Sequence, residues 1–104
     1  MSEINQLVEQ IKQATDYQTN KRILREKIQT DLHIAYNNGL FLVSTDLLSF
    51  LATWPDEELF LEDTYNNPIK INRQEFLELC RSHYHTIMNE WHIENDQLKK
   101  IRKI

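Results

Sequence analysis

Glycine occurs once in these 104 residues, cysteine once and proline twice. The lone glycine excludes a glycine-rich phosphate loop, which needs several positions where backbone can close on a ligand. The lone cysteine excludes an internal disulfide, so nothing points to an oxidising compartment. No apolar run approaches the roughly 18 residues of a membrane span. The chain begins Met-Ser-Glu-Ile-Asn, a mixed-charge amphipathic start without the apolar core of a secretory signal. A cytoplasmic protein is expected. Positive charge is missing from the middle: between residues 32 and 72, Lys70 alone faces Asp46, Asp56, Glu57, Glu58, Glu62 and Asp63. That balance argues against a nucleic-acid surface there.

The length predicts one domain, residues 1–104, with a modest core. Two Trp, four Tyr and four Phe argue against intrinsic disorder. Net charge is −4. Basic residues cluster at Lys21, Arg22, Arg25 and Lys27, and again at Lys99, Lys100, Arg102 and Lys103. The second cluster suits the last turn of a helix, where cations complement the dipole.

Ile4, Leu7, Val8, Ile11 and Ala14 recur at helical spacing behind Ser2 as N-cap and Glu3 in the first turn. Tyr17, Ile23 or Leu24, Ile28 and Leu32 prolong an apolar stripe. The segment 3–30 reads as one long helix, or as two joined by a kink near residues 15–20. Leu32–Tyr36 and Leu40–Val43 are β-prone runs around Asn37-Asn38-Gly39. Asn-Gly predicts a hairpin whose central residues take positive φ, and the glycine meets that demand. Ser44 or Thr45 caps a short helix that Pro55 ends near Trp54, with Trp54 expected to plug the core and the helix to lie against a sheet. Residues 57–63 and 69–71 read as a second hairpin around the turn chemistry of Thr64-Tyr65-Asn66-Asn67-Pro68. Asn72 with Glu75 forms a capping-box-like start to a long helix over 73–101, roughly 42 Å in length. The predicted class is α+β in the order α-ββ-α-ββ-α, with the terminal helices pairing within the chain or between subunits.

The last helix carries the strongest signal. Leu77, Cys80, Tyr84, Ile87, Trp91, Leu98 and Ile101 fall at alternating steps of three and four, and Glu94 alone interrupts them. A 3.5-residue repeat makes one narrow seam that needs a partner helix. The expected interface residues are Tyr84, Ile87, Trp91, Leu98 and Ile101, with Ile4, Leu7 and Ile11 as their partners. For Trp91, an intramolecular core and an intermolecular contact remain equal alternatives.

Groups that could carry chemistry are scattered. Cys80 and His83 are three apart, and His85 and His92 seven apart, but a zinc site needs further ligands. Cys80 on the seam reads as a small apolar residue, not a nucleophile. Asp56, Glu57, Glu58, Glu62 and Asp63 could serve acid–base work, yet a solvated, charged strand edge is the simpler reading. Accordingly no catalytic residue, metal or cofactor is assigned, and the chain is not expected to be an enzyme.

The stretch Asn67-Pro68-Ile69-Lys70-Ile71-Asn72-Arg73-Gln74-Glu75, followed by a helix containing Met88-Asn89-Glu90-Trp91-His92, resembles small uncharacterised proteins of tailed bacteriophages, particularly cyanobacterial myoviruses. The resemblance covers about the last 70 residues and carries over no functional residue. It implies an accessory or virion-assembly role, in the host cytoplasm or the virion. The expected function is therefore a non-enzymatic protein–protein interaction module that oligomerises, a dimer being favoured, through the seam. The alternative is a nucleic-acid-associated regulator using the basic clusters at 21–27 and 99–103.

Overall fold

The computed structural model describes residues 2–101, except for the side chains of Ser2 and Ile101. The elements are α1 (Ser2–Asp31), β1 (His33–Tyr36), β2 (Gly39–Leu42), α2 (Thr45–Thr53), β3 (Glu58–Glu62), β4 (Pro68–Asn72) and α3 (Arg73–Ile101). This is the α-ββ-α-ββ-α order, with long helices at both ends. The molecule is elongated, 69 × 24 × 19 Å, because the 30-residue α1 and the 29-residue α3 lie antiparallel and project from the hairpin end. Residues 15–20 continue α1 without interruption, which decides between one helix and two. Thr15 bonds back to the carbonyl of Ile11 within that stretch.

β1 pairs with β2 with Tyr36 opposite Gly39, so the turn is Asn37-Asn38. Both asparagines have positive φ, 46° and 66°, whereas Gly39 does not. The sequence placed the demand for positive φ on the glycine. Asparagine meets it instead, because its short polar side chain tolerates the left-handed region. Gly39 is required for space: a Cβ there would lie 2.7 Å from Cγ1 of Ile69 on the other hairpin.

The two hairpins remain separate two-stranded sheets. β3 pairs with β4 with Leu59 opposite Ile71. Loop bonds join the sheets: Thr64 N–H donates to the Leu40 carbonyl (2.8 Å), and the Asn37 amide donates to the Lys70 carbonyl (2.8 Å). Asp63 completes the link. One carboxylate oxygen accepts from the Leu40 N–H, and the other accepts from Tyr65 and Asn67. Asp63 is therefore buried, at 6% exposure, and not part of a solvated acidic edge as expected. The Asn67 amide above all, with those of Leu40 and Tyr65, holds its carboxyl below the ordinary 3.8 although burial pushes upward.

Ser44 caps α2 by accepting from the Leu47 N–H, and Trp54 turns extended ahead of Pro55. Trp54 does not plug the core. It is 37% exposed and rests against Phe50 with ring centroids 5.2 Å apart. The central side chain is Phe76, fully buried between Tyr36 and Phe41. Around it pack Val43, Leu51, Leu59, Ile71, Leu77 and Cys80. Asn72 caps α3 through the Glu75 N–H. Arg73 then clamps the connection from α2, donating to the carbonyls of Leu51 and Asp56. Its guanidinium thus covers an acceptor near the end of α2 that the helix leaves unsatisfied.

Candidate interaction surface

The heptad stripe of α3 divides its work. Its first members, Leu77 and Cys80, are buried beneath the hairpins beside Phe76. Tyr84 touches both that cluster and the next. Further along, Ile87 is buried against Leu24 and Ile28 of α1 and Leu32 just after it, with Met88, Trp91 and Leu98 half-buried around them. The intramolecular partners of the seam are these residues, not Ile4, Leu7 and Ile11.

Polar bonds fix the register of the helix pair. The His83 ring, through Nε2–H, donates to the Asp31 carbonyl (2.6 Å), an acceptor that the end of α1 leaves open. Lys27 and Glu94 form an ion pair at 3.0 Å, and the Glu94 carboxylate raises the Lys27 pKa. His83 opposite Asp31 means that Ile101, 18 residues on, stands opposite about residue 13. Residues 3–11 of α1 consequently overhang the described end of α3, an arm of roughly 14 Å.

Ile4, Leu7, Val8 and Ile11 line this arm and are 56–66% exposed. Tyr17, further along α1, is only 9% exposed. Isolated exposed apolar residues are ordinary, but four on one stripe of one helix are not. Of the expected interface residues, Ile87 is buried within the chain. Tyr84, Trp91 and Leu98 are half-buried, and Ile4, Leu7 and Ile11 are open. The side chain of Ile101, and Arg102 and Lys103 of the C-terminal basic cluster, lie outside the described residues.

The two flanks of the helix pair differ in charge. One carries the Lys27–Glu94 pair beside Ile23, Leu24 and Leu98. The other is a shallow groove of about 250 Å³ lined by Gln18, Lys21, Arg22, Arg25, Trp91 and Asn95. Its three cations hold no ion pair among the described residues.

Cys80 is fully buried, and desolvation pushes its thiol up to about 11. Of the pair that could have formed a metal edge, His83 is thus bound to a backbone carbonyl and Cys80 lies in the core. No group of three or more His, Cys, Asp or Glu suited to a metal occurs among the described residues. Among these residues, no helix is long and apolar enough to cross a membrane. No protein family, curated protein or solved structure matches the chain.

The signal for Phe76, Arg73 and Asp63 was weak in the sequence. Phe76 lies one residue from the heptad member Leu77, and its importance follows from the hairpins folding over that side of α3. Arg73 and Asp63 act on backbone groups distant in sequence, which no spacing rule reveals.

Proposed function

We propose that this chain is a non-enzymatic assembly protein, acting through its paired terminal helices and favouring a dimer. The observation that carries the reading is the exposed stripe Ile4, Leu7, Val8 and Ile11 on an arm that the described residues of α3 leave uncovered. Such a stripe exposes on the order of 450 Å² of apolar surface, within the range that marks interaction sites on monomers. Light scattering over a range of concentrations tests the reading. A mass of twice the 12.6 kDa chain is expected, and a monomer at every concentration would overturn it.

The basic groove favours a second reading, an anionic-polymer contact. Trp91 lies among Lys21, Arg22 and Arg25, the combination of aromatic and cations that holds single-stranded nucleic acid. Its measure is the quenching of Trp91 fluorescence by an oligonucleotide. Affinity should fall steeply as salt rises from about 50 to 200 mM. Binding that ignores salt, or no binding, removes this reading.

A further inference from the structure

We infer that the arm of α1 pairs with the same arm of a second copy, antiparallel, so that Leu7 of one copy packs against Ile11 of the other. The inference rests on the assembly reading above and specifies its surface.

Continuity with the helix interface already formed comes first. Ile4 and Ile11 stand four and three heptads before Leu32, and Leu7 stands three heptads before Ile28. Both later residues are buried against α3. The arm thus carries the same seam that α3 covers further along. A straight helix drifts about 20° per heptad against a seven-residue repeat. Over three to four heptads the stripe turns by roughly 60–80°, so it emerges beside the line of α3 instead of behind it.

Layer spacing selects the register. In an antiparallel pair, successive seam positions alternate across the interface. Leu7 then faces Ile11, Ile4 faces the half-buried Ala14, and both layers repeat by symmetry. Charge selects the direction. A parallel pair would bring the clusters Lys21, Arg22 and Arg25 of both copies to one level. The antiparallel pair carries them to opposite ends. It also brings Glu3 of one copy level with residue 15 of the other, on the flank facing α3. By the offset between helices, Lys99 of α3 stands at that level. Two arms together cover on the order of 900 Å² of apolar surface, which with their polar margins reaches the lower range of specific interfaces.

The test uses the full chain. Leu7→Glu with Ile11→Glu should weaken the dimer roughly 100-fold or more, because two charges enter each of the two Leu7–Ile11 layers. Glu9→Lys, on the opposite face of the arm, should leave the mass unchanged. Circular dichroism checks that each variant keeps the parent's fold. A spin label on Glu26→Cys then reports direction, since the native Cys80 is buried and escapes labelling. Residue 26 of the two copies should be separated by roughly 50 Å along the axis in the antiparallel pair, against under about 25 Å in a parallel one. A dimer that survives the double substitution, is lost on Glu9→Lys, or gives the short distance overturns this pairing and leaves the assembly reading standing. A monomeric parent overturns both.

Discussion

Replacing Gly39 by alanine tests the claim that this glycine exists for space and not for backbone freedom. Its φ is not positive, so alanine meets no conformational strain there. The added Cβ, however, would lie 2.7 Å from Cγ1 and 3.2 Å from Cδ1 of Ile69, and 3.0 Å from a ring carbon of Phe41. Comfortable carbon contacts begin near 3.5 Å. The two hairpins must therefore separate by several tenths of an ångström. Phe41 is 4% exposed and packs edge-on to Phe76, so it has little room to yield. Overpacking of this kind costs about 1–3 kcal/mol. For a chain of this length that is a fall in Tm of about 4–8 °C per kcal/mol, read by circular dichroism on heating. The cause is isolated by a double-mutant cycle with Ile69→Ala, which removes two of the three clashing atoms, the nearest among them. Much of the cost of Gly39→Ala should vanish in that background. If Gly39→Ala is neutral, or costs as much with Ile69→Ala as without, the steric argument is wrong.

Two further outcomes follow from buried groups. The folded pKa of Asp63 lies below the ordinary 3.8, so its stabilising contribution is complete above that value and is lost as pH falls through it toward the folded value. Asp63→Asn should flatten the acid limb of a urea-midpoint profile, and parallel profiles for parent and variant would refute the role. Cys80, buried and with its thiol pushed up to about 11, should ignore a thiol reagent at neutral pH until the chain is unfolded in urea; prompt modification of the native chain would contradict its place in the core.

Local chemistry was legible from the start. Asn72 and Ser44 cap the helices they precede, and Pro55 stops α2, because a cap or a proline acts within one turn of itself. Both hairpins, the long terminal helices and the α+β order follow from alternation, turn residues and helical spacing. The seam on α3 was equally plain, but its partners were not. Periodicity says that a side of a helix must be covered, and is silent on what covers it. Tertiary structure put Leu77 and Cys80 under the hairpins and Ile87 under Leu24, Ile28 and Leu32.

The same limit explains the other surprises. Trp54 looked like core by its chemistry, yet the end of α2 faces outward and leaves it open. Asp63 looked like surface, yet it accepts from Leu40, 23 residues earlier in the chain. The sequence alone determined which segments become helix or strand, since that depends on neighbours within a few residues. Only the folded chain decided which apolar faces are closed and which, on the arm of α1, are exposed among the described residues, since closure depends on which stretch of another helix packs beside each turn.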